Sequence, residues 1–101
     1  MESTDDRRHM FGLVMKESEK DLAELEGAME GMDREAMRRT VHRMAPVWEL
    51  LGAGDVLSDY RKILHDKAAG DETVRGRTLR VMEQIRTLMD EVNNELEKME
   101  Y

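Results

Sequence analysis

The 101-residue chain has no cysteine, which removes disulfides, thiolate nucleophiles and thiolate metal sites together. Proline occurs once, at Pro46, so almost nothing interrupts a helical backbone. Aromatic residues make up only 4%, and the apolar set is dominated by leucine, valine and ten methionines. Leucine and methionine keep helical propensity and aromatic residues, which supply strands, are scarce, so this composition favours helix. No apolar run approaches the ~20 residues that span a bilayer, and no secretory pattern is read at the start. A surplus of positive charge is missing as well. The formal net charge of -7 argues against a nucleic-acid surface, which needs a basic face. The expectation is one soluble, cytoplasmic domain without direct membrane contact, just long enough to bury a single core.

What the chain does have is charge, 39% of it, laid out at helical spacing. The first eight residues, "MESTDDRR", are expected to form a flexible N-terminal segment, and residues 9–101 a single bundle. A first helix is expected from about His9 to Gly27 or a little beyond, with Phe11, Val14 or Met15, Leu22, Leu25 and Met29 on one side. Gly27 and Gly31 lie around its end, and Asp33 is placed to cap the next helix. That second helix carries Met37, Val41, Met44, Trp48 and Leu51, spaced four, three, four and three. It stops at "GAGD", where Asp55 offers a new cap. A third segment follows from about Val56 to Ala68, with Val56 or Leu57, Tyr60, Ile63 and Leu64 inward. The fourth begins near Asp71 and carries Val74, Met82, Ile85, Leu88 or Met89, Val92, Leu96 and Met99, with Val81 beside the stripe. Four amphipathic helices, each too weak alone, predict an all-α, antiparallel up-and-down four-helix bundle. A dimerising coiled-coil hairpin is the rival, and the short loops "GAGD" and "AAGDE" count against it.

His42 stands out within "EAMRRTVHRMAPVWELLGAGD". At 100° per residue it lies roughly 145° from the centre of the apolar stripe, so it is expected to face water. An exposed neutral imidazole can be an ordinary surface group, or it can attack phosphorus with one ring nitrogen while the other keeps its proton. An open site suits such a carrier, because donor and acceptor both approach in line. Arg38, Arg39, Ala45, Pro46 and Glu49 are read as outward neighbours, with Arg43 a little further round. Arg39 and Arg43 are candidates for phosphoryl support or partner contact, and Arg38 equally for an ion pair with an adjoining helix. Ala45 and Pro46 are small, rigid flanks that a docking partner can approach. Glu49 can orient the imidazole or simply be polar surface. Pro46 lacks the N–H that would bond the His42 carbonyl, and a bent but continuous helix is expected there because the stripe stays in phase to Trp48 and Leu51.

The stretch "AMRRTVHRMAPVWELLGAGDVLSDYRKIL", with "DLAELEGAMEGMDREAMRRTVH" leading into it, resembles histidine-containing phosphotransfer domains. The "HRMAPVWELL" form is similar to the domain at the end of hybrid sensor kinases of the Bacteroides type. The resemblance covers about residues 9 to 97. It implies a four-helix bundle that accepts a phosphoryl group on His42 from a receiver-domain aspartate and passes it to another receiver. It also implies no autokinase activity, no ATP and no cofactor in the domain, with Mg2+ on the partner receiver. The partnership would be transient and the domain monomeric, free or as the cytoplasmic part of a membrane-bound hybrid kinase. Most members place lysine three positions after the histidine and glycine four after; here Ala45 and Pro46 stand there.

Other readings stay open beside it. A docking or dimerisation module that binds receivers without phosphotransfer fits the missing lysine. An enzyme using His42 as general base lacks a convincing second catalytic group. Trp48 is in phase with Met44 and Leu51 and belongs to the core. His9 and His65 make no ligand spacing with His42, so no metal site is expected. Gly52 and Gly54 permit a turn, since no Walker-type lysine follows them.

Overall fold

Helix boundaries follow from local chemistry at each chain reversal. The computed structural model describes the backbone of residues 4–98 and the side chains from residue 8 onward, Leu96 excepted. Four helices result: α1 Thr4–Glu30, α2 Arg34–Leu50, α3 Gly54–His65 and α4 Asp71–Lys98. Among the described residues there is no strand. Helix α1 begins at Thr4, five residues before the expected start at His9. The rest of the expected flexible segment, residues 1–3, and Met99 lie outside the described residues, as does the Leu96 side chain.

Helix α1 runs through Gly27 and closes with paired bonds, Asp33 N–H to the Ala28 carbonyl (2.9 Å) and Met32 N–H to that of Met29 (3.1 Å). This arrangement demands one left-handed residue. Met32 supplies it at φ 52°, although Gly31 next door would do so with less strain. Asp33 then caps α2, its carboxylate accepting from Ala36 N–H at 3.1 Å. Helix α2 is continuous through Pro46. It ends with the same bond pattern, Ala53 N–H to the Trp48 carbonyl and Gly52 N–H to that of Glu49, and here the left-handed residue is Gly52 at φ 100°.

Two expected boundaries are corrected. The residue preceding α3 is Ala53, without a side-chain cap, and Asp55 lies inside the first turn, where its charge still favours the helix start. Helix α3 stops at His65 because the Asp66 carboxylate accepts from Ala68 N–H at 2.9 Å, a local turn that competes with continued helix.

Helix α1 packs on α2 and α4, and α3 on α2 and α4. The four thus surround a single core. Met37, Val41, Met44, Trp48, Leu57, Tyr60, Leu64, Val74, Met82 and Ile85 are buried in it, each larger side chain contributing about 1.5–3 kcal/mol. Leu22, Leu25, Met29 and Met89 are buried where the periodicity placed them, and Val81 joins them. Leu51, Val56, Ile63, Leu88 and Val92 pack partly against its edge. Polar groups inside are satisfied in pairs. Trp48 Nε1 donates to Ser18 Oγ at 3.0 Å. Tyr60 and Thr78 hydroxyls share a 2.5 Å bond, and Thr78 also donates to the Val74 carbonyl. Among the described residues no helix is long and apolar enough to cross a membrane.

Candidate functional site

Helix α2 sits between α1 and α3, so only part of its circumference meets solvent. Two rows of side chains, each spaced by four residues, cover that part: His42, Pro46 and Leu50, and beside them Arg39, Arg43 and Val47. All six are exposed, Leu50 at 89%. A single exposed leucine is ordinary, but Leu50 shares this face with Pro46 and Val47. The adjoining α1 adds Leu13, 52% exposed, across a shallow groove of about 290 Å³ that Val47 and Trp48 also line.

The cations do not share one role. Arg43 is drawn toward α1, where its guanidinium donates twice to Asp21 Oδ1, at 3.0 and 2.7 Å, and once to Glu24. The hydrogen bond from Arg43 holds the Glu24 carboxyl below its ordinary range. Glu24 and then Asp21 hold Arg43 above its own. Arg38 is drawn to the opposite side and donates to the Leu64 carbonyl near the end of α3 at 3.1 Å. Arg39 alone of the three keeps to the surface, with only a loose 3.9 Å pairing to Glu35 one turn earlier.

Ala45 corrects an expectation. It was placed among the outward neighbours of His42, yet it is 2% exposed and belongs to the core. The buried arc of α2 is wider than its apolar stripe, running from Thr40 on one flank to Ala45 on the other, because two helices cover it. Ala45 lies one turn beyond His42 and two beyond Arg38, both of which reach α3. A small residue there lets α2 and α3 approach. Glu49 is exposed and packs toward the start of α3, where a Cβ on Gly54 would meet its Cγ at 3.5 Å. No hydrogen bond joins it to His42 among the described residues.

The side chain that does reach the imidazole is Arg61 of α3, whose guanidinium nitrogen lies 3.3 Å from His42 Nδ1. Sequence reasoning passed over it inside "YRKIL". A signal existed: His42 precedes Gly52 by ten residues and Arg61 follows it by nine, so two helices folded back at that turn bring them level. Arg38 with Leu64 and Arg34 with Ala69 obey the same rule.

The arrangement offers one solvent-facing imidazole on a helix held from both sides, with a guanidinium at one ring nitrogen and apolar surface below. Among the described residues no group of three histidine, cysteine or acidic side chains is placed to hold a metal ion. Comparison with protein-family profiles, curated proteins and solved structures finds no match.

Proposed function

We propose that the chain is a phosphoryl carrier of a multistep two-component phosphorelay, with His42 as the group that is phosphorylated. The observation that carries this reading is the placement of His42: an exposed nucleophile on a helix locked into the core by Met37, Val41, Met44 and Trp48. In the reaction one ring nitrogen forms a bond to phosphorus, the bond from phosphorus to the aspartate oxygen of a receiver breaks, and the electron pair leaves on the carboxylate. Passing the group onward reverses these steps on another receiver. Mg2+ belongs to the receiver, and this domain supplies the nucleophile and its position.

Pro46, Val47 and Leu50 are the apolar part of the receiver's footprint, and Arg39 its steering charge. The bundle is read as antiparallel and up-and-down. Contacts that converge symmetrically on each turn support this, Ser18 with Trp48 and Asp21 with Arg43 on one side, Arg38 with Leu64 and His42 with Arg61 on the other. The domain acts as a monomer in transient complexes, on the cytoplasmic side, alone or within a hybrid kinase.

One observation favours a second reading, a docking module that binds receivers without transfer. Ala45 is core, and Arg38 and Arg43 are engaged elsewhere, so the cations around His42 are few. The two readings separate in one experiment. The domain is incubated with a phosphorylated receiver encoded in the same genome, and its intact mass is followed at neutral or mildly basic pH. Addition of one phosphoryl mass that disappears in His42→Gln supports the carrier. Measurable receiver binding with no transfer supports the docking module.

A further inference from the structure

Arg61 has no part in the assignment above, yet it is the side chain that the structure bonds to His42. It is half-buried on α3, and its guanidinium lies 3.3 Å from Nδ1. A guanidinium has only donors to offer. In that bond Nδ1 must therefore be the acceptor, with a lone pair and no proton, and a neutral ring carries its hydrogen on Nε2. Since Nδ1 is turned toward α3, Nε2 on the other edge of the ring is the nitrogen that a partner arriving from solvent meets.

Phosphorylation at Nε2 needs a lone pair there, so the ring proton shifts to Nδ1 and Arg61 lets go while the N–P bond forms. When the phosphorylated ring gives up the Nδ1 proton to water, Nδ1 is an acceptor again and Arg61 can return. Loss of the group by hydrolysis follows the opposite chemistry. Water oxygen bonds to phosphorus, the P–Nε2 bond breaks and its electron pair stays on Nε2. With Nδ1 protonated the leaving group is neutral imidazole; with Nδ1 unprotonated it is an imidazolate anion, a far poorer one. A donor held at Nδ1 competes with that proton.

We propose that Arg61 is a positioning residue that prolongs the lifetime of phosphorylated His42, aiming Nε2 outward and opposing protonation of Nδ1. The proposal rests on His42 being the carrier. It answers a difficulty of that reading: the exposed site admits water as freely as it admits a receiver, so hydrolysis must be slowed from within the ring.

The test has two parts. Long-range 15N NMR of the unphosphorylated domain reports the tautomer: the Nε2–H form, which a free histidine side chain already favours, should be further enriched in the natural protein, and Arg61→Ala should lower its share. Both proteins and Arg61→Gln, which keeps a neutral donor, are then phosphorylated with the small-molecule donor phosphoramidate. Decay is followed by intact mass at neutral pH, with thermal melts confirming that each variant is folded. Arg61→Ala should shorten the lifetime about three- to tenfold, the factor that one hydrogen bond is worth, and Arg61→Gln should recover part of it. An unchanged tautomer ratio with equal lifetimes overturns the role of Arg61 and leaves His42 as carrier. Failure of the natural protein to accept phosphate on His42 from any donor overturns the carrier reading, and this proposal with it.

Discussion

Restoring the lysine that the resembling family carries three positions after its histidine should damage this protein. Ala45 is 2% exposed, on the flank of α2 that meets α3. Ala45→Lys adds three methylenes and an ammonium to filled space. Overpacking of that kind costs about 1–3 kcal/mol. The charge adds to this unless the stem bends out beside Arg38 and His42, which relieves part of the penalty. A net loss of about 2–4 kcal/mol follows. In a domain near 100 residues each kcal/mol moves the midpoint by about 4–8 °C, so Tm should fall by about 8–32 °C. Urea unfolding followed through the lone tryptophan, the buried Trp48, measures it directly. Arg39→Lys on the exposed row serves as control and should stay within about 0.5 kcal/mol. A loss below about 1 kcal/mol for Ala45→Lys would refute the packing argument and put position 45 back among the surface residues.

The Tyr60 hydroxyl is pushed up to about 12 from its ordinary 10.0, chiefly by burial. The unfolded chain then releases that proton first as pH rises, so the contribution is intact below pH 10 and is lost between 10 and 12, by up to about 2–3 kcal/mol. Tyr60→Phe should remove that share of the alkaline loss in melts taken against pH. Thr78→Val should cost more at neutral pH, about 1–3 kcal/mol, because it strands the Tyr60 hydroxyl, whereas Tyr60→Phe leaves Thr78 its Val74 carbonyl. Arg43→Ala should lose about 1–3 kcal/mol in urea titrations, since the Asp21 side chain is only 9% exposed and is left unpaired; Asp21→Ala added to it should recover part. Gly52→Ala should cost about 1–2 kcal/mol through backbone strain alone, as nothing lies within 4 Å of the new Cβ. Gly12→Ala inside α1, equally open, should instead gain about 0.5–1 kcal/mol.

The stripe from Met37 to Trp48 was legible because periodicity needs no knowledge of neighbours. Four helices, their order and the Asp33 cap were legible for the same reason. Ser18, Asp21 and Thr78 were not: each is polar, and each is buried only because a partner arrives from another helix. Ala45 misled because alanine weighs little in an apolar stripe, while burial here depends on two covering helices. The contacts of Arg43 and Arg61 were hidden on similar grounds. An arginine on a surface row looks free until the acids of α1 stand opposite it, and an arginine outside the histidine helix looks irrelevant until the turn at Gly52 brings it level.

The order in which the helices adjoin has a bearing on how the chain folds. Helices α1 and α2, α2 and α3, and α3 and α4 are partners across links of only a few residues, while α1 and α4 alone join distant parts of the chain. Local hairpins close quickly, and the distant pair carries the larger entropy of closure. The α2–α3 pair holds Gly52, His42 and Arg61 complete within itself, so the imidazole is expected to meet its neighbour before the two long outer helices join.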